Sequence, residues 1–398
     1  MDRTGEFRFE YDPGVLRFGS VADLGDELER QGFERALVVC GSTVGTTPEV
    51  IDPVTEGLGD RLAGVFAETT PAKRLATAFD GLEAMRKHDA DVLVALGGGS
   101  SLDVAKVMGV LAGADRDPAA IGREFEEHGT ISVPAGSMPP IVAVPTTLAG
   151  ADLSTVAGVT ASPESGLVDA PTSGGVGDPR LMPSAIVYDP ALVATTPKSI
   201  LAASAMNGFD KGIETLYARN ATPVTDATAM RGLELLRDGL RRLGDEGPTA
   251  DVLDPVLEGT MLVQYGIARP GETTLSIIHA FGHGLTRSYD VQQGAAHGVV
   301  APHVLRYLFA EVDGRRDLLA DALGVGDADD RAAAIVEAVA DVRDALDLPT
   351  RLRDVDGPEP AEFPSVAEAI LADSFVANAP TGLEPTQDAI EGVLEDAY

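Results

Sequence analysis

Short runs of β-branched and aliphatic residues alternate with amphipathic stretches through the first half of the chain. Ala36-Leu37-Val38-Val39 is one such run, closed by Cys40-Gly41-Ser42. Asp91-Val92-Leu93-Val94-Ala95-Leu96 is another, closed by Gly97-Gly98-Gly99; Pro140-Ile141-Val142-Ala143-Val144 and Ala185-Ile186-Val187-Tyr188 are two more. Each reads as a buried strand, and stretches such as residues 77–88 between them read as helices. Strand, helix and strand in alternation predict a parallel sheet with right-handed crossovers. Residues 156–184, rich in Gly, Pro and Ser, predict a long loop or irregular hairpin.

After Pro197 the pattern changes. Period-3.6 segments fill residues 199–218, 224–242, 251–268, 273–287, 296–311, 328–345 and 364–377, with almost no β-branched runs. The change falls at Asp189-Pro190 and Thr196-Pro197, where the residue before each proline avoids helix. The predicted architecture is therefore an α/β domain over 1–195 and an all-α domain over 196–398.

Composition sharpens this. A length of 398 residues already favours two domains, and a hydrophobic share of 44% is enough to pack them. Acids number 63 against 30 Lys plus Arg, a formal charge of −33, which excludes nucleic acid and anionic membrane as ready partners. The bases are 25 Arg and only five Lys: Lys73, Lys87, Lys106, Lys198 and Lys211. Acid excess with lysine scarcity reads as a halophile's cytoplasm. One cysteine, Cys40, excludes an internal disulfide framework and a cysteine-based zinc site. Met1-Asp2-Arg3-Thr4-Gly5-Glu6 carries no apolar core of a signal peptide, so a cytoplasmic protein is expected.

Four segments carry candidate chemistry. Gly97-Gly98-Gly99-Ser100-Ser101-Leu102-Asp103-Val104-Ala105-Lys106 follows a strand and opens a helix. Three glycines let a diphosphate approach the backbone at a helix N-terminus, and Ser100 or Ser101 can cap the helix and touch a phosphate. Pro145-Thr146-Thr147-Leu148-Ala149-Gly150-Ala151-Asp152 ends another strand, placing two hydroxyls toward the same crevice. Four of six histidines (His279, His283, His297 and His303) fall within 25 residues, and the first two share a helix face. Asn207, Lys211 and Glu214 share a face of a further helix. A lysine kept where arginine serves elsewhere points to a compact ammonium at Lys211 and at Lys106, with a surface pair to Asp210 or Glu214 as the bland alternative.

Together these segments resemble the iron-containing alcohol dehydrogenase superfamily, from Gly14-Val15-Leu16-Arg17-Phe18-Gly19 to about residue 310. Leu181-Met182-Pro183-Ser184-Ala185-Ile186-Val187-Tyr188-Asp189-Pro190 and His279-Ala280-Phe281-Gly282-His283-Gly284-Leu285 add to the likeness, which is strongest toward the maleylacetate reductase branch. The resemblance implies an α/β dinucleotide-binding domain and a helical domain of the dehydroquinate synthase-like fold, with the active site between. It implies NAD(P)H on Gly41, Ser42, Gly97, Gly98, Gly99, Ser100, Ser101, Asp103, Thr146, Thr147 and Leu148. Gly41 stands where relatives often carry an acid that grips the ribose 2′-OH, so NADPH is slightly favoured.

The departures from the family pattern set the expected mechanism. The family's four metal ligands fall on Asn207, Lys211, His279 and His297, and two of these are an amide and an ammonium. No lysine between Lys106 and Lys198 matches the family's lysine near the nicotinamide ribose. The reading is a metal-independent reductase of a small carbonyl or enoate compound, possibly carboxylate-bearing, in a homodimer. Lys211, His279 and His283 are its catalytic residues, and Asn207, His279 and His297 line the substrate. If a metal is retained, Asn207, Asp210, His279 and His297 would hold it. The alternatives are a metal-dependent alcohol or polyol dehydrogenase, an NAD-recycling dehydroquinate synthase-like lyase or cyclase, and a non-catalytic dinucleotide-binding protein.

Overall fold

A computed structural model describes residues 7–114 and 116–398. The hexapeptide inspected above for a signal lies outside the described residues.

Among the described residues, eight strands occupy the first half: β1 (Val15–Phe18), β2 (Ala36–Gly41), β3 (Leu62–Thr69), β4 (Val92–Gly97), β5 (Ile141–Pro145), β6 (Val156–Ala161), β7 (Thr172–Gly177) and β8 (Ala185–Tyr188). Six form one sheet in the order β1-β8-β5-β4-β2-β3, with every pairing parallel. The four strands read from apolar runs are its interior, buried on both faces, as continuous Val, Ile, Leu and Ala runs require. β1 and β3 are the edges. They pass below a search for apolar runs because part of each meets solvent: Val15, Phe18 and Val65 are exposed. The segment 156–184 contains an antiparallel hairpin of β6 and β7.

Chain order sets where a ligand can sit on this sheet. From β2 the chain steps outward to β3, then returns to β4 on the other side of β2 and continues to β5 and β8. The direction reverses between β2 and β4, so their carboxyl ends, Gly41 and Gly97, flank the topological switch point where open parallel sheets bind ligands.

Two compact units divide the chain, one over Asp12–Thr195 and the other from Thr196 to the C-terminus. Residues 7–11 group with the second unit, unlike the 1–195 boundary expected from sequence. The reason is aromatic: Tyr11 meets Tyr265 edge to face at 4.8 Å, and the Arg269 guanidinium lies over Phe9.

The second unit is helical. Its segments include Lys198–Tyr217, Pro223–Glu246, Ala250–Gln264, Ile277–Thr286, Gln293–Glu311, Arg331–Ala345, Phe363–Leu371 and Gln387–Ala397. The helix expected over 251–268 stops at Gln264, and the one expected from 273 begins at Ile277. Between them a two-residue hairpin pairs Ala268–Arg269 with Glu272–Thr273 around Gly271, whose φ of 74° suits glycine. The helix expected over 364–377 ends at Leu371, and a 3₁₀ turn follows at Ser374–Asn378. Among the described residues no helix is long and apolar enough to cross a membrane.

Candidate functional site

The triple glycine forms the turn between β4 and the helix Gly99–Ala114. Gly97 has φ of 134°, a conformation that side chains rarely adopt. A methyl group on Gly98 would meet the Thr147 methyl at 3.0 Å, and one on Gly99 would meet Ala151 at 3.3 Å. The glycine turn and the threonine turn are thus packed together, tied by a hydrogen bond from Thr146 N to Gly97 O. A bare backbone here, at the N-terminus of a 16-residue helix, fits a diphosphate.

Side chains in this region fall into two sets. Ser100, Thr147, Gly41 and Ser42 keep some accessible surface, whereas Leu148 is fully buried. Ser101 lies one turn inside the cradle with its hydroxyl 2.9 Å from that of Thr69, so it binds the sheet edge rather than capping the helix. Asp103 is engaged by Lys73, whose Nζ lies 2.6 Å from its carboxylate.

Lys106 is fully buried. Its ammonium donates to the carbonyls of Ser154 at 2.6 Å and of Ala151 and Val156 at 3.3 Å. Burial pulls its pKa down to about 8, against the attraction of Asp103 and Asp152. The compact ammonium expected here from the scarcity of lysine fastens the segment after the threonine turn to the helix after the glycine turn. The Asp152 carboxylate, in turn, accepts the Tyr188 hydroxyl.

A second cluster belongs to the helical unit. The face of Lys198–Tyr217 carrying Asn207 and Glu214 brackets the His279 ring. Nδ1 lies 2.6 Å from Glu214 Oε2, and Nε2 lies 3.0 Å from Asn207 Oδ1. Glu214 also accepts from the backbone N–H groups of Ser276 and His279, both at 3.0 Å, and from the Tyr217 hydroxyl at 3.3 Å. The imidazole ring of His297, from the helix Gln293–Glu311, meets that of His279 edge to face at 4.5 Å.

Electrostatics hold both rings neutral. Burial, then the neighbouring His297 and Lys211, keep His279 well below the usual imidazole range. Burial pushes His297 down to about 3, with His283 and Lys211 adding and Glu214 opposing. Burial drives Glu214 up to about 7 against its hydrogen bonds. Lys211 is half-buried and donates to Gln264 Oε1 at 3.4 Å, and its charge is felt by both histidines. Asp210 turns the other way. It is fully buried, 3.3 Å from His297 Nδ1 without hydrogen-bond geometry, and burial beside Glu214 raises its pKa well above the carboxylate range.

His283 is near the cluster's rim. Its Nδ1 lies 2.9 Å from Asp373, which Arg287 also engages at 2.9 Å, and Phe375 packs on its ring at 5.1 Å. His303 is elsewhere. Six residues past His297 on one helix, it sits about 120° around the axis and contacts Arg306 instead. Asp373, Phe375 and Gln264 went unread in the sequence, since no spacing signal links them to residues up to 90 positions away.

The four positions that the family pattern assigns to a metal present an amide, an ammonium and two imidazoles. This set does not fit a divalent cation, because Lys211 repels one and Asn207 is a poor replacement for a carboxylate. The carboxylate route supplies too few ligands: Glu214 is committed to His279, which leaves Asp210, its oxygens without hydrogen-bond partners, beside His297 alone of the histidines. Among the described residues no group of three His, Cys, Asp or Glu side chains is placed to hold a metal.

The iron-containing alcohol dehydrogenase signature spans residues 13–190, and the C-terminal signature of the Fe-containing alcohol dehydrogenase family spans 201–398. The chain is 29% identical to maleylacetate reductase of Pseudomonas aeruginosa over 98% of its own length and 97% of that protein's. It is 29% identical to 1,3-propanediol dehydrogenase of Citrobacter freundii over 91% of this chain and 92% of that one. The sulfoacetaldehyde reductase of Bifidobacterium kashiwanohense, solved with NAD+, shares the fold with a TM-score of 0.83 at 21% identity, covering 98% of this chain and 99% of that one. The likeness to the maleylacetate reductases is the one expected from the residues themselves. The chain belongs to the iron-containing alcohol dehydrogenase family and is one of its NAD(P)-dependent dehydrogenases and reductases.

Proposed function

We propose that this protein reduces a small carbonyl or enoate compound bearing a carboxylate, of which maleylacetate is the example named by its relatives, and does so without a metal. The observation that carries this reading is the Glu214–His279–Asn207 array beside an ammonium at Lys211. A bound nicotinamide dinucleotide supplies the hydride. The protein's part is to hold that group on the glycine turn and to stabilise the negative charge that develops on the substrate oxygen.

Lys211 takes the second task, as a point charge where relatives place a cation. A neutral imidazole has one N–H to give. Three donors besides the His279 ring already converge on Glu214, which favours its carboxylate, so the ring gives its Nδ1–H there. Nε2 then keeps its lone pair, with the Asn207 amide turned to donate to it. His283, anchored to Asp373 through Nδ1, is left with Nε2 to pass a proton to the substrate oxygen. His297 shapes the pocket wall. Because Gly41 offers no acid to the ribose, NADPH binds at least as well as NADH.

Steady-state oxidation of NADPH by maleylacetate and by simple aldehydes, before and after exhaustive chelation, tests the reading. Turnover that survives chelation, with well under one transition metal per chain, supports it. Activity that disappears with a stoichiometric metal overturns it.

A further inference from the structure

The helical unit carries a second concavity that the reaction above does not use. It is a cleft of about 1250 Å³ among the helices Gln293–Glu311, Arg331–Ala345 and Gln387–Ala397 and the turn Leu352–Asp354. Four arginines line it, Arg306, Arg343, Arg351 and Arg353, together with His303. In a chain with 63 acids against 30 Lys plus Arg, such a gathering runs against the composition.

How these arginines are used separates them from the rest. Most arginines of the described residues sit within 4 Å of a carboxylate, as Arg315 does at 2.7 Å and Arg287 at 2.9 Å. The buried Arg343 follows that habit and pairs with Asp344 at 2.7 Å. Arg306, Arg351 and Arg353 make no ion pair among the described residues, although Glu337, Glu395 and Asp396 line the same cleft. Arg306 only touches the His303 ring at 3.3 Å, and Arg353 lies over the Tyr398 ring at 5.8 Å. The fourth acid, Asp330, is taken by the backbone N–H of Ala333. After burial, Arg306 and Arg343 hold His303 below its ordinary range, with Asp396 opposing.

Three guanidinium forks without carboxylate partners, opening on one cleft, form a receptor for planar or tetrahedral oxyanions. We propose that this cleft binds an organic anion bearing two or more negative charges, gripped by Arg306, Arg351 and Arg353. Its carbon body would lie on the apolar wall of Phe309 and Val336. The volume suits a metabolite rather than an inorganic ion, being somewhat above the usual range of about 300–1,000 Å³ for small-molecule pockets. The anionic groups can be phosphates or carboxylates, and one experiment tells them apart.

The protein saturated with NADPH, so that the glycine turn is occupied, is titrated calorimetrically with pyrophosphate and with citrate at constant ionic strength. Binding of pyrophosphate alone assigns a phosphorylated ligand; binding of citrate alone, or of both, assigns a carboxylate-tolerant one. R306Q/R351Q should weaken whichever binds by about ten- to a hundredfold, the worth of one or two charge-assisted contacts, and leave NADPH affinity and turnover unchanged. R353Q, should the double variant not fold, gives a smaller loss in the same direction. No heat from either probe, or equal binding in the variants, overturns the proposal.

Discussion

The carboxylate of Glu214 lies 2.6 Å from Nδ1 of His279, and the backbone N–H of His279 returns to the same carboxylate at 3.0 Å. One acid therefore fixes both the ring and the helix start that carries it. Glu214→Gln retains the shape but replaces an acceptor with a group that can also donate. We expect kcat to fall by about ten- to a hundredfold with little change in KM, the range for partners that orient a functional imidazole. Nitrogen-15 spectra of the His279 ring should lose the Nδ1–H tautomer. An unchanged tautomer with normal kcat would mean that the contact serves packing alone.

Lys211→Met keeps the length of the side chain and removes its charge. Loss of one preorganised electrophilic contact costs about 10²–10³ in kcat. NADPH affinity should hardly move, because the proposed dinucleotide site lies on the other unit. Lys211→Arg should rescue poorly, since a planar fork replaces a point charge badly. A near-normal kcat in Lys211→Met would return Lys211 to the role of a surface cation.

His297 makes stability depend on acid. The unfolded chain takes a proton there near 6.5, whereas the folded chain resists until about 3. Its stabilisation is therefore complete above pH 6.5 and drains away as pH falls toward 3, by up to about 1.4 kcal/mol per pH unit. Glu214, raised from 4.5 to about 7, acts oppositely and loses stability as pH rises through that window. The two cancel in part between 4.5 and 6.5, so the melting temperature should drop most steeply below pH 4.5. His297→Gln should flatten that descent, and an identical slope in the variant would show that other groups set it.

Gly41→Asp places a carboxylate at the end of β2. It should weaken NADPH more than NADH, through repulsion of the 2′-phosphate. Gly41→Ala is the needed control, because even a methyl group would lie 3.2 Å from the Thr69 carbonyl. Equal losses for both cofactors in the Asp variant would place ribose recognition elsewhere.

The charge of −33 predicts a need for salt. Repulsion between acidic faces reaches over about 30 Å at 0.01 M and about 3 Å at 1 M. The melting temperature should rise between those concentrations, and an unchanged value would contradict the halophile reading.

Much of this was legible in the sequence, and the rest was hidden for definable reasons. Interior strands such as Val92–Gly97 announce themselves because burial on both faces leaves only apolar residues. The edge strand Leu62–Thr69 mixes exposed and buried positions and escapes the same test. Asn207 and Glu214 could be paired in advance because helical spacing places them on one face. Their convergence on the two nitrogens of one imidazole could not. Asp373 reaches His283 from 90 residues away, a relation no local pattern encodes. His303 misled in the opposite sense, since closeness along the chain is not closeness around a helix.

Lys106 has a bearing on how far lysine can be removed from a chain of this composition. Substituting arginine or acid for lysine is easy on a surface, where the ammonium meets only water. At position 106 three backbone carbonyls surround the buried nitrogen, a set that the three N–H groups of a compact ammonium match and the five of a planar fork do not. Lysine can therefore be given up on the exterior, where Lys87 still lies exposed, but its removal meets a limit at the buried Lys106, where backbone geometry chose the side chain.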